Sequence, residues 1–244
     1  MASEKDRVVA QLITNLEQAS RLRAHATATP GELAARMHLR QWQADRLSRS
    51  YGDLLQSPRF GQAANFFLSD LYGPKDFSAR DADLARLVPL MTKMLPLAGL
   101  QTVCRTIELD ALSERLDGEM AAELKQRGVR NIDGDRYAAA YRRVGDRPGR
   151  ERQIELIIDV GGALDRLTHM PLIGGMLHLM REPAHLAGMG AIQAFMERGF
   201  DSFRQMGSAT EFLETIRSRE TQMLQDLFAG RMPDCLLAVS SGKG

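Results

Sequence analysis

Along almost the whole chain, apolar residues recur at intervals of three and four, and almost nowhere do they alternate with polar ones. That period puts side chains on one face of a helix, so the chain is committed to burying helix against helix. Val9, Leu12, Ile13, Leu16 and Ala19 predict a helix over residues 4–25. Thr29-Pro30-Gly31-Glu32 supplies a cap, a first-turn proline and a returning carboxylate for a second helix, running through Trp42 to Leu55. Ser57-Pro58 opens a third, with Phe60, Ala63, Phe67 and Leu71 on one stripe, and Gly73-Pro74 closes it. Ser78 with Asp81 starts another, kinked at Pro89. Pro96 then begins a long amphipathic helix through Leu100, Cys104, Ile107, Leu112, Leu116, Met120 and Leu124 to Gly128. A short helix from Asp133 carries Tyr137 and Tyr141 and stops at Gly145. Gly145-Asp146-Arg147-Pro148-Gly149 reads as a loop, with the next helix expected from Glu151, where Gly161-Gly162 allows a bend or a close approach. Residues 171–180 and 183–206 form two more, and Ser208-Ala209-Thr210-Glu211 has the form of a capping box for the last. About nine helices and no sheet make an all-α, compact multi-helix bundle over residues 1–230, with a subdomain joint at 145–149 and a mobile tail from 231 to 244.

Composition narrows the function classes. With 244 residues, 44% hydrophobic and 26% charged, the chain is an ordinary globule, which excludes disordered and collagen-like classes. The net charge of +1 gives no field that would steer the molecule onto DNA. Two cysteines, Cys104 and Cys235, provide neither a disulfide framework nor zinc-ligand spacing. The first residues lack the apolar core and small-residue cleavage site of a secretory signal, so cytoplasmic residence is expected. The most apolar stretch, Met170 to Met196, is broken by Arg181-Glu182-Pro183, and no transmembrane segment is expected.

Phe66-Phe67-Leu68-Ser69-Asp70-Leu71-Tyr72-Gly73-Pro74 resembles the motif of an uncharacterised bacterial family named for Phe-Phe-Leu-Glu-Glu-Leu-Tyr. The similarity continues through Asp76-Phe77, Arg80-Asp81, the stretch from Glu108 to Asp117, Met180-Arg181 and Glu197-Arg198-Gly199-Phe200, covering most of residues 40–230. Ser69 and Asp70 stand where the family name has two glutamates, so a requirement for both carboxylates does not carry over. The resemblance implies a bacterial origin and a shared fold, and it transfers no catalytic residue.

Four groups of residues invite a functional reading. Met170 to Met206 holds six of the 13 methionines, and Met176, Met180, Met189, Phe195, Met196 and Phe200 are the candidates for an apolar ligand pocket or an oligomer surface. The bland alternative is that they are simply central buried helices. Glu182-Pro183-Ala184-His185 has the Glu-x-x-His spacing of a metal site, with His178 nearby, but a di-iron site needs a second copy and carboxylates from two other helices. Glu108, Asp110, Glu114 and Asp117 more simply solvate their long helix, and Pro183 makes Glu182 a cap residue. No cofactor is expected, with haem or iron kept for the alternative of a helical enzyme.

Arg142, Arg143, Arg147 and Arg150 have an anion-binding reading and a solvated-face reading, and Asp146 and Glu151 among them favour the second. Residues 30–51 echo a helix-turn-helix, which would bind nucleic acid through Arg40 and Arg46, but the turn at His38-Leu39-Arg40 has no glycine or proline. A continuous surface helix is preferred there. No motif sets a nucleophile beside a base, so an enzyme has nothing specific to stand on. The preferred reading is a helical binding or interaction protein for a protein partner or a small apolar ligand, with DNA disfavoured.

Overall fold

In a computed structural model, which describes residues 2–71, 85–89, 91–93, 95–186, 188 and 190–237, every regular element is helical. Helix α1 (Glu4–Ala28) starts at a reciprocal capping box between Ser3 and Asp6. It is followed by α2 (Glu32–Ser50), short α3 (Gly52–Gln56), α4 (Gly61–Phe66) and one π-helical turn (Phe67–Leu71). Then come α5 (Leu97–Gln126), α6 (Gly134–Val144), α7 (Arg147–Thr168), α8 (Ile173–Leu179), α9 (Arg181–Leu186), α10 (Gly190–Met206), α11 (Thr210–Phe228) and α12 (Asp234–Leu237). The all-α class expected from the periodicity holds. The helices outnumber the expected nine because short breaks split expected helices, at Tyr51 between α2 and α3 and around Gly188 (φ 74°) between α9 and α10, and because α12 forms in the expected tail. Gly73-Pro74, the Ser78/Asp81 start and residue 90, next to the kink expected at Pro89, lie outside the described residues.

Helix α5 is the axis of the fold, and α1 runs parallel beside it. Gln101 Nε2 donates to Glu4 (3.3 Å), Arg23 to Asp110 (2.8 Å), and Lys125 Nζ to the carbonyl of Pro30 (2.8 Å), so contacts advance along both helices together. The buried residues Leu100, Cys104, Ile107, Ala111, Glu114, Gly118 and Ala121 on α5 are spaced four and three apart, as are Leu12, Leu16, Ala19, Arg23 and Ala26 on α1. That is the seam of two helices packed knobs into holes, except that each stripe carries one charge, Arg23 and Glu114, 3.2 Å apart.

Two larger apolar clusters flank this axis. One joins Leu54, Phe60, Phe66, Phe67, Phe203 and Phe212; the other joins Leu39, Trp42, Met120, Tyr137, Tyr141 and Leu227. Each fully buried side chain of this size contributes roughly 1.5–3 kcal/mol. Phe66 and Phe67, from the family-like motif, are thus core residues. Leu236 of α12 is fully buried in the second cluster, which corrects the expectation of a mobile tail from 231 as far as residue 237. Residues 238–244 lie outside the described part.

Several helix ends differ from their expected signals because other partners, local or distant, take the capping groups. Glu32 pairs with Arg36 rather than returning to the cap, and Gly31 caps α2 with φ 73°. At the start of α11 the cap position is Ala209, whose N–H donates to Asp165 of α7 (3.0 Å), while Glu211 pairs with Arg59 (3.0 Å). Helix α7 starts at Arg147, four residues before the expected Glu151, because Asp146 accepts from the Gly149 N–H and Pro148 suits a first turn. It continues unbroken past Gly161, where an added Cβ would lie 2.4 Å from Leu213; the glycine serves the close approach of α7 and α11.

Candidate functional site

Removing a guanidinium from water costs several kcal/mol unless a partner replaces the hydration. Even so, Arg23, Arg36, Arg46 and Arg150 are only 4–7% exposed, and Glu114 only 3%. Most of this charge is paired across helices. Glu114 on α5 receives Arg23 from α1 (3.2 Å) and Arg36 (3.3 Å) and Arg40 from α2. Gly118, one turn on, makes room: a Cβ there would lie 2.6 Å from the Arg36 guanidinium. Arg40 also reaches Asp117 (3.3 Å); burial opposes its charge, but the two carboxylates outweigh burial and hold it protonated above its ordinary range. Arg46 pairs with Glu220 of α11 (2.9 Å), and the Tyr51 hydroxyl donates to the same carboxylate (2.8 Å). Burial and that carboxylate raise the Tyr51 phenol well above its usual value, so it stays a donor.

Beside this network lies a cavity of about 140 Å³ between the two large apolar clusters. Its walls come from α2, α5, α6, α7, α11 and the segment from α3 to the π turn. Engineered cavities of about that size accept a benzene molecule. Four carboxylates line it, and each is already held by an arginine: Asp110 by Arg23, Glu114 and Asp117 by Arg40, and Glu220 by Arg46. The remaining lining arginine is Arg150. Its guanidinium stacks 4.5 Å from the centre of the Tyr141 ring, and its Nε and Nη2 have no hydrogen-bond acceptor. Burial raises the Tyr141 phenol, with Arg150 acting in the opposite sense. The cavity thus ends on a buried guanidinium with two N–H groups unsatisfied; the Asp146 carboxylate, itself hydrogen-bonded by Arg115, acts on it only through space.

The residues singled out from the sequence are distributed differently. Met176 is 59% and Met196 43% exposed, Met180 and Phe195 are half-buried, and Phe200 is buried with its ring over Gly174. Met189 lies outside the described residues, and none of the other five lines the cavity. Glu182, His185 and His178 are all exposed, with Glu182 inside the first turn of α9. Among the described residues, no three His, Cys, Asp or Glu side chains gather as a metal site would require. The basic block divides. Arg142, Arg143 and Arg147 are exposed, and Arg147 pairs with Glu151 (2.8 Å), but Arg150 turns inward, so the solvated-face reading does not extend to it.

Two further expectations are corrected. Residues 32–50 form a continuous helix, but not a surface one: Arg36, Leu39, Trp42 and Arg46 are buried, and Arg40 and Arg46 are spent on carboxylates rather than available to phosphates. Asp110, Glu114 and Asp117 share one face of α5 and are held by arginines instead of water, while Glu108 pairs with Arg152 (2.9 Å). A signal for the site did exist. Extending the inward stripe of Ile154 and Ile157 back by one turn reaches Arg150, and Glu114 interrupts an otherwise apolar seam.

Residues 22–233 match a family described as a domain of unknown function, DUF8198. No curated protein and no solved structure matches the chain. No helix among the described residues is long and apolar enough to cross a membrane.

Proposed function

The chain belongs to the DUF8198 family, a domain of unknown function, and from that premise we propose that it is a ligand-binding protein whose cavity receives a small anion on Arg150. One observation carries this reading: every carboxylate lining the cavity is engaged by another arginine, and Arg150 is 4% exposed without an acceptor for Nε or Nη2. Buried guanidinium N–H groups without acceptors are costly, and an anion entering the cavity would replace that cost with a charge-assisted, bidentate contact. The resemblance to the bacterial Phe-Phe-Leu-Glu-Glu-Leu-Tyr proteins and residence in the cytoplasm belong to the same proposal.

The test is thermal unfolding of the wild type and Arg150→Met at constant ionic strength, with chloride replaced by acetate, hexanoate or phosphate. Without ligand, Arg150→Met raises Tm, because it removes a buried cation and keeps the volume. With ligand at a hundred times its Kd, the wild type gains about 2.7 kcal/mol and the variant gains nothing. Equal stabilisation of both proteins by every anion would sink the proposal.

A second reading concerns the methionine-rich segment. Leu172, Met176, Leu179 and Leu186, at spacings of four, three and seven, are 78%, 59%, 83% and 89% exposed. An apolar stripe left in water suits a protein partner or a second copy of the chain, and sedimentation of stripe variants tests it.

A further inference from the structure

The walls of the cavity change character along its length, and that gradient describes the ligand beyond its charge. On α7 the lining residues are Arg150, Gln153, Ile154 and Ile157, one face of a helix that passes from cation to amide to hydrocarbon over about 10 Å. The stretch from α2 to α3 repeats the change, from Arg40, Gln43 and Arg46 to Leu47 and Leu54. Helix α11 lines the cavity with Met223, then Glu220, whose carboxylate is held by Arg46, and then the apolar Ile216 and Phe212. Ile157, Leu54, Ile216 and Phe212 all belong to one apolar cluster, with Ala64 and Phe67, and so define a common dry end opposite the arginines.

Resting on the proposed anion site, we propose that the ligand is an amphipathic monocarboxylate, with its carboxylate on Arg150 and a short hydrocarbon body directed toward Ile157, Phe67 and Phe212. A hydrophilic anion such as inorganic phosphate would leave the apolar end without a partner, whereas a neutral hydrocarbon would leave Arg150 unpaired. The volume of about 140 Å³ admits a body of roughly benzene size and not a long acyl chain.

Isothermal titration calorimetry of the intact protein with acetate, butyrate, hexanoate and decanoate, and with phosphate, reads this directly. Each methylene that enters the apolar end tightens Kd about threefold to fourfold, so affinity climbs from acetate to hexanoate and stops rising before decanoate. Phosphate binds more weakly than hexanoate. A flat series, or phosphate tighter than hexanoate, overturns the amphipathic ligand while leaving an anion site at Arg150. Absence of binding by every anion overturns the parent reading too. The wild-type series stands without any variant, and Ile157→Phe adds position: it fills the dry end, weakens hexanoate at least tenfold and leaves acetate within twofold, whereas Arg150→Met loses both. Equal losses of acetate and hexanoate in Ile157→Phe would place the hydrocarbon elsewhere and overturn the assignment.

Discussion

The junction of α1, α2 and α5 buries charge, whereas the stretch from Leu172 to Leu186 leaves hydrocarbon in water. Glu114 is 3% exposed and Leu186 is 89% exposed. The contrast shows that burial follows the partner an element can find more than the residue type. Glu114 has three arginines from two neighbouring helices, and the packing that brings them there shuts water out. Helices α8 and α9 are seven and six residues long, broken at Met180, and their outer face meets no described element at Leu179 or Leu186.

The largest expected effect comes from removing the centre of the charged junction. Glu114→Ala takes the shared carboxylate from three buried guanidiniums, leaving Arg23, Arg36 and Arg40 with Asp110, Glu32 and Asp117 alone, and should cost roughly 3 kcal/mol, read as a fall in Tm of about 10 °C. A loss below about 1 kcal/mol would mean that water already solvates the junction, and the contrast would collapse. Next in size is a pair of glycines, one in each region. Gly118→Ala forces the Arg36 guanidinium off its seat and should cost about 1–3 kcal/mol by denaturant unfolding. Gly175→Ala meets nothing within 4 Å and should stabilise α8 by up to about 1 kcal/mol.

Smaller still is Leu179→Ser combined with Leu186→Ser, each expected to change stability by no more than about 0.5 kcal/mol. Sedimentation equilibrium on that double variant should show a lower mass than the wild type wherever the wild type self-associates; an unchanged, larger mass would remove the stripe from the interface.

The smallest effect calibrates ion pairs against solvent. A bidentate hydrogen bond from Arg219 lowers the Asp53 carboxyl to about 2, yet both side chains are well exposed. A lowered carboxyl stabilises the fold above its unfolded value of about 4, and that contribution is lost as pH falls toward 2. Arg219→Ala should therefore flatten the acid limb of stability slightly between those values and return the Asp53 titration, followed by NMR, toward its ordinary midpoint. An unmoved midpoint would show that the pair does not form in solution.

The legible parts of the fold were those set by neighbours in sequence. Asp133 caps α6, Gly145 ends it, and Gly128 with φ 66° ends α5 as its last turn predicts. Signals failed where a distant side chain competed, as when Arg59 took Glu211 and Asp165 took the Ala209 amide. The candidate site was less legible still. Arg150 could be singled out as a cation, but its isolation depends on Arg23, Arg40 and Arg46 having claimed the carboxylates, and those pairings span 74 to 174 residues. Periodicity marked the methionine-rich helices as apolar without showing that no described element would cover α8 and α9.

The stack of Trp42 on Tyr137, with ring centres 4.4 Å apart, has an optical consequence. Trp42 is the chain's single tryptophan and is 7% exposed, while Tyr137 forms part of the cavity wall. All indole emission therefore originates at one shielded ring whose immediate neighbour touches the space a ligand would enter. The molecule carries its own fluorophore for occupancy, with no background from a second tryptophan, and a shift in its intensity or colour on titration needs no label to be read.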